Sequence, residues 1–396
     1  MRILLVGNYP LDSQSSMLRY AEMLHQEIAL RGHQVEIIQP KPIFGNLVAQ
    51  PILRKWLGYI DKYLMFPATL RAAARNFDLV HICDHSNSMY LPHTSGRPAS
   101  ITCHDLLAIA SAQGRYPEQR ISSTGKVQQR WILKHLSAAS NVVCVSANTA
   151  RELAELTGGA SQNISVIPNP LNFEYSPATD EAVRDLRKRL GLAPEETYLF
   201  HIGGEHWYKN RFGVIRIFNH LVAKLISMGT PVPRLIMAGA PLSPEMRDYI
   251  AIHNLQPSVM EVFSPSNEDL RALYTGATAL LFPSLYEGFG WPLIEAQSCG
   301  CPVITSNRPP MTEVAGPAAL YIDPADETGS AGLIATNFDH LPTFRQAGLQ
   351  NAERFHPEQI FPLYERFLAA VARGETSHST VVIPHNEPVA KQQGTQ

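Results

Sequence analysis

The stretch Ser284-Leu285-Tyr286-Glu287-Gly288-Phe289-Gly290-Trp291-Pro292-Leu293-Ile294-Glu295-Ala296 decides the reading of this chain. The apolar run Ala279 to Phe282 leads into it, and Glu287 and Glu295 stand eight positions apart with two glycines and a proline between them. This order predicts a strand, a tight glycine turn and a helix begun by Pro292, with Glu295 in its first turn. Such a turn aims free backbone N–H groups at whatever sits above the helix, and anions bind there. Two carboxylates flanking an anion site suit a ligand with both phosphate and hydroxyl groups, such as a nucleotide sugar.

Outward from this motif, strand and helix alternate. In the first half, Arg2–Gly7, Val35–Ile38, Leu79–Cys83, Ser100–Cys103, Asn141–Val145 and Ser165–Ile167 read as buried strands. A helix from about Ser16 to Arg31 carries apolar residues at Leu18, Ala21, Leu24, Ile28 and Ala29, and Gly32 ends it. The second half repeats the plan with Tyr198–Ile202, Leu235–Ala238, Met260–Phe263, Ala279–Phe282, Val303–Thr305 and Leu320–Ile322. Near-continuous apolar strands between helices imply parallel sheets covered on both faces, with ligands at the carboxyl ends of the strands. Pro168-Asn169-Pro170 and the polar stretch Thr179 to Arg189 read as a linker region. The expected division is 1–175, 176–352, a closing amphipathic helix over 353–373 that packs back on the first domain, and a disordered tail over 374–396.

At 396 residues the chain is too long for one small core, which favours two domains. A net charge of −2 gives no basic field for nucleic acid. The five cysteines lack ligand spacing and are odd in number, which argues against a zinc site or a disulfide framework and for a reduced, cytoplasmic setting. The apolar residues Ile3 to Val6 read as a strand rather than a signal peptide, and no apolar run reaches the ~18 residues of a membrane span.

These residues resemble retaining glycosyltransferases of the GT-B fold, in particular family 4 (glycosyl transferases group 1), over roughly residues 1–372. The Glu-x7-Glu signature stands as Glu287 to Glu295 and continues through Gly300, Pro302 and Ser306 to Glu313-Val-Ala-Gly316. Further matches in the family's order are Leu30-Arg-Gly-His33-Gln-Val35, Thr102-Cys-His104-Asp105, Val145-Ser146-Ala-Asn-Thr149, Val166-Ile-Pro-Asn169-Pro and Gly203-Gly204…Lys209-Asn210. The resemblance implies two doubly wound Rossmann-like domains facing across a cleft. The first would shape the acceptor side and the second would hold the donor. Two departures stand out. The family often has a glycine pair after the first strand, where this chain reads Asn8-Tyr9-Pro10-Leu11-Asp12-Ser13-Gln14-Ser15-Ser16. Many members carry an arginine shortly before the lysine, where this chain has Gly204 to Tyr208, with Arg211 following.

The resemblance also implies the roles. Glycosyl transfer from a nucleotide sugar builds negative charge on the leaving diphosphate, and fixed donors aimed at that charge stabilise it. Lys209, after Gly203-Gly204 at a strand end, is the expected phosphate ligand, with Asn210 beside it. Glu295 would take the ribose hydroxyls. Glu287 would face the transferred sugar, with the amides of Phe289 and Gly290 nearby and Leu293 helping through its N–H. Gly288 and Gly290 would let backbone approach closely, and the loop at Ser264 would receive the base, most simply of a UDP- or GDP-sugar. His104 would face the sugar, and His104, Lys209 and Glu287 form the expected catalytic set, with neither glutamate a general acid. His81, Asp84 and His85 read as structural or acceptor-facing. No Asp-x-Asp pair occurs, which fits a metal-independent site without a cofactor. The expected acceptor is a saccharide or a lipid-linked one. Leu53 to Phe66 mixes cations with large apolar side chains, as interfacial helices do; Gly58 and Asp61 favour an ordinary packed helix over peripheral contact with the inner face of a membrane. Rival readings are a sugar-nucleotide epimerase of the same fold and a non-catalytic nucleotide-sugar sensor. A dinucleotide oxidoreductase would need a Gly-x-Gly-x-x-Gly turn after the first strand, and Gly7-Asn-Tyr-Pro-Leu-Asp lacks it.

Overall fold

Twelve short strands form two six-stranded parallel sheets in the computed structural model, which describes residues 1–12, 14–158 and 162–375. The first sheet holds β1 (Arg2–Val6), β2 (Gln34–Ile38), β3 (Leu79–Ile82), β4 (Ala99–Cys103), β5 (Asn141–Cys144) and β6 (Asn163–Val166), in the order β2-β1-β3-β4-β5-β6. The second holds β7 (Tyr198–Gly203), β8 (Arg234–Gly239), β9 (Val259–Phe263), β10 (Ala279–Phe282), β11 (Val303–Ser306) and β12 (Ala319–Ile322), in the order β12-β11-β10-β7-β8-β9. β3, β10 and β11 are buried along their whole length, as strands covered on both faces must be.

Each sheet reverses its direction of growth once, between β1 and β3 in the first and between β7 and β10 in the second. Strand-end loops diverge at such a point and leave a crevice, which is where open α/β sheets bind ligands. Each sheet also has a separate apolar layer on either face. A buried Leu, Val or Phe contributes about 1.5–3 kcal/mol, so each half has the means to hold its own shape.

The helix Asp180–Arg189 starts with the Thr179 hydroxyl accepting from the amide of Ala182, and its Leu186 lies in the core of the second domain. The stretch read as a linker is therefore packed, and Asn169 beside it is 3% exposed. The last helix, Pro357–Ala372, buries Ile360, Phe361, Tyr364 and Leu368 against Ile3, Leu5 and Tyr20 of the first domain. Of the tail expected from residue 374, Gly374 and Glu375 are described and 376–396 lie outside the described residues. No helix among the described residues is long and apolar enough to cross a membrane. All five cysteines are buried thiols.

Candidate active site

The two loops at the second sheet's reversal carry Lys209 and Glu287, and the fold brings them together. Lys209 Nζ lies 2.8 Å from Oε1 and 2.9 Å from Oε2 of Glu287. The carboxylate side chain is 7% exposed and the lysine 20%. Backbone and side-chain bonds lace these loops: Leu285 N donates to Tyr208 O at 2.7 Å, and Asn210 Nδ2 to Pro283 O at 3.0 Å. Asn210 sits in the left-handed region at φ 52°, and its side chain ties the loops together. Arg211, the candidate substitute for the missing arginine, is buried and reaches the loop after β8, where Nη1 donates to Pro241 O at 3.1 Å.

The glycine turn behaves as its sequence suggests at Gly290, where φ is 97° immediately before the helix Trp291–Ser298. The amides of Phe289 and Gly290 make no hydrogen bond among the described residues. Two details correct the sequence reading. The helix begins one residue earlier, so Glu295 lies in its second turn. The Leu293 amide, expected to serve a ligand, donates to Gly290 O at 3.0 Å, and its side chain is in the core. Phe289 is also core, edge-on to Phe355 at 5.6 Å.

Glu295 is 6% exposed, and each carboxylate oxygen takes one donor: Asn172 Nδ2 at 3.0 Å and the Tyr274 hydroxyl at 2.9 Å. Burial raises its carboxyl pKa, partly offset by those two bonds. Neither Asn172 nor Tyr274 could be found by motif, because they meet Glu295 only through the fold. Gly203 ends β7 close to His201 and Lys209, whereas a Cβ on Gly204 would meet only His206 Cδ2, at 3.8 Å. Ser264 is exposed, with φ 42°, beyond β9. β9 lies two strands from β7, about 10 Å, so Ser264 stands apart from the Lys209–Glu287 pair.

His104 approaches from the first domain. Its Nε2 is 2.9 Å from Cys83 O, which makes Nε2 the protonated nitrogen, and its buried Nδ1 has no hydrogen-bond partner among the described residues. Burial lowers its pKa and favours the neutral ring. Tyr20 packs edge-on to it with ring centroids 4.5 Å apart, and the Tyr20 hydroxyl donates to Tyr364 of the last helix at 2.6 Å. His81 is a satisfied core residue, bonded to Ser100 at 2.8 Å and Thr102 at 3.0 Å. Buried Asp84 accepts from Asn8 Nδ2 at 2.5 Å and from Ser86 N at 3.0 Å, with His85 Nδ1 at 3.1 Å. Ser13, in the loop that replaces the expected glycine pair, lies outside the described residues.

The domains meet at this point. A Cβ on Gly288 would overlap the carbonyl oxygen of His104, so only glycine allows the approach. The Gly288 carbonyl accepts from Ser146 Oγ at 2.9 Å and Thr149 Oγ1 at 3.3 Å. Glu313 accepts from the amide of Ala147 at 2.8 Å, at the start of the helix Ala147–Thr157. The Tyr286 hydroxyl donates to Glu152 at 2.6 Å, and Trp291 Nε1 to Pro170 O at 2.8 Å. Ser146, Thr149 and Glu313 stood in the sequence motifs without a role, and their role is to clasp one domain to the other.

Comparison with known proteins gives the family and the fold. Residues 17–175 match the family described as Glycosyltransferase Family 4, and residues 183–337 match Glycosyl transferases group 1. The chain belongs to the family 4, group 1 glycosyltransferases. Among its relatives is the O-antigen chain mannosyltransferase B of Escherichia coli, 28% identical over 290 residues and covering 71% of each chain. The glycosyltransferase has the GT-B fold. It superposes on the sucrose-phosphate synthase of Thermosynechococcus elongatus with a TM-score of 0.72 at 21% identity, over 93% of this chain and 100% of the other. Anabaena HepE, solved with UDP and glucose, gives 0.70 at 18% identity over the same shares.

Proposed function

We propose that this glycosyltransferase moves a hexose from a nucleoside diphosphate sugar to a saccharide or lipid-linked acceptor, with retention and without a metal. The Lys209–Glu287 pair at the switch point carries this reading. A diphosphate arriving there competes for the lysine charge, and the carboxylate oxygens then become free to accept sugar hydroxyls. The anomeric C–O bond to the diphosphate breaks, and negative charge grows beside Lys209 and the open amides of Phe289 and Gly290. The acceptor oxygen bonds to the same face of the anomeric carbon, and its proton passes to the departing phosphate oxygen. Neutral His104 offers Nδ1 as an acceptor to a sugar hydroxyl. Glu295 keeps unused lone pairs for the ribose. UDP with glucose in HepE and the mannosyl activity named for the E. coli relative support a UDP- or GDP-hexose. Five unbridged thiols support a cytoplasmic setting.

The test is turnover or binding across UDP-, GDP- and ADP-sugars, with the product anomer read by NMR. No turnover and no binding of any donor sinks the proposal. An inverted product overturns retention, and loss of rate in a chelator overturns metal independence. A changed donor released without any acceptor would instead indicate an epimerase.

A further inference from the structure

The helix Pro51–Ile60 widens into a π-helical turn over Asp61–Met65, a feature frequent at functional sites. Its inner face is fully used. Gly58 leaves room for Tyr9, and the buried Asp61 carboxylate accepts from Tyr9 OH at 2.7 Å, Gly45 N at 2.9 Å and Phe44 N at 3.0 Å. Gly58 and Asp61 thus pack inward, and the outer face has no partner among the described residues. There Trp56, Tyr59 and Tyr63 run to Trp131 of the helix Ser123–Ser137 as a ladder of rings, with successive centroids 5.4, 5.3 and 5.1 Å apart. With Val127 they line an open groove of about 420 Å³. Trp56 is 52% exposed and Val127 62%.

A second pocket, of about 460 Å³, adjoins the groove and shares Tyr59 and Gln128 with it. Arg54, Lys55, Lys62, Asp12 and Gln14 line it. Lys62 is neutralised by Asp12 at 2.8 Å. Arg54 and Lys55 have no ion-pair partner among the described residues, so the pocket keeps two free cations. Asp12 and Gln14 belong to the loop after β1, and Gln14 bonds Asn8, whose amide holds Asp84 at the strand ends. The cationic pocket therefore sits against the loop that follows β1, at the carboxyl end of the first sheet, and the aromatic groove continues from it through Tyr59 and Gln128.

We infer that the two cavities form one acceptor subsite for a lipid phosphate, with an isoprenoid-type chain in the aromatic groove and its phosphate or diphosphate on Arg54 and Lys55. This rests on the transferase reading and names its acceptor class. The two cations without ion-pair partners among the described residues, beside an apolar aromatic groove, match a ligand with one anionic end and one apolar chain. Both cavities are within the range of ligand pockets, about 300–1,000 Å³. The polar head then lies beside the loop that follows β1, and the chain runs along the aromatic rings.

The test is calorimetric titration of the full chain with farnesyl diphosphate, farnesol and inorganic diphosphate. Farnesyl diphosphate should bind about tenfold or more tightly than either fragment. Trp56→Ala with Trp131→Ala, and Arg54→Gln with Lys55→Gln, should each weaken it about tenfold, as loss of aromatic or arginine anchors does. Circular dichroism melts of these surface variants check the fold. Lys209→Met should leave this binding in place. No binding, equal binding of inorganic diphosphate, indifference to the groove variants, or loss confined to Lys209→Met overturns the inference. Capture on phosphatidylglycerol vesicles through Trp56 and Trp131, without farnesyl diphosphate binding, makes the groove a bilayer contact and also overturns it. Donor hydrolysis on the same wild-type preparation separates the two readings. Donor turnover without lipid binding removes only this inference, and lipid binding with neither turnover nor binding of any donor sugar removes the transferase reading and leaves a lipid-phosphate site.

Discussion

The Lys209–Glu287 pair has both a structural and a chemical role, and substitution can separate them. Lys209→Met leaves the carboxylate of Glu287 largely buried and unpaired. Because the lysine is partly exposed, the cost is below that of a sealed pair, about 1–3 kcal/mol. Adding Glu287→Gln should restore most of that stability in a urea melt. Turnover should stay down about 10³-fold in both variants, the size of effect seen when one transition-state donor is removed. A double variant that regains turnover would show that the lysine only neutralises the glutamate. Asp84 and His85 give a pH signature. Burial works to raise the Asp84 carboxyl, but the adjacent His85 ring and, more weakly, the Ser86 amide outweigh it, and the net pKa falls well below the carboxylate range. Burial lowers His85, but Asp84 outweighs it and the net shift is upward. The depressed carboxyl contributes stability above its unfolded value, lost as pH falls through the folded one. The raised histidine contributes below its unfolded value, lost as pH rises through the folded one. The pair therefore helps most between about pH 4 and 6.5. The stability gap between wild type and Asp84→Asn should be largest across that window and shrink on either side. A gap that is flat with pH would remove the ionic pairing.

Among the elements, the last helix has the longest reach. Tyr364 holds the Tyr20 hydroxyl, and Tyr20 holds the His104 ring edge-on. Tyr364→Phe should cost about 1 kcal/mol of stability and lower kcat several-fold with KM for the donor unchanged, because His104 loses alignment while the donor loops are untouched. Equal loss in kcat and KM, or none in either, would break that connection. Sequence pattern alone gave Ala279–Phe282 its observed limits and set this helix within 353–373, because apolar periodicity and proline or glycine punctuation mark them locally. The Glu287 and Lys209 loops were also legible, since a strand-end glycine turn has a local chemical meaning. Asn172 and Tyr274 on Glu295, and Glu313 on the helix Ala147–Thr157, were not. Their partners are distant in sequence, and nothing in an asparagine or a tyrosine read singly says what it will face. The Leu293 amide failed for a different reason. The helix starts one residue early, and its first turn closes on Gly290 O.

At the scale of the whole molecule, the crevice is complete only when the two domains close on each other, and Gly288 is where that closure is tightest. A Cβ there would overlap the His104 carbonyl and lie 2.9 Å from Asp105 Cβ. Both obstacles are backbone or the root of a side chain, so neither can swing aside, and Gly288→Ala must hold the domains apart. Each domain keeps its own layered core, so the melting temperature should move by only about 3 °C or less. Separating His104 from Glu287 even slightly disrupts a site assembled from both halves. kcat/KM should then fall about 100-fold, the typical cost of an ångström of misplacement. Small-angle scattering should show a larger radius of gyration for the variant. Wild-type turnover in Gly288→Ala would mean that the domains react in a more open arrangement, and that His104 meets the sugar from farther away than the closed crevice places it.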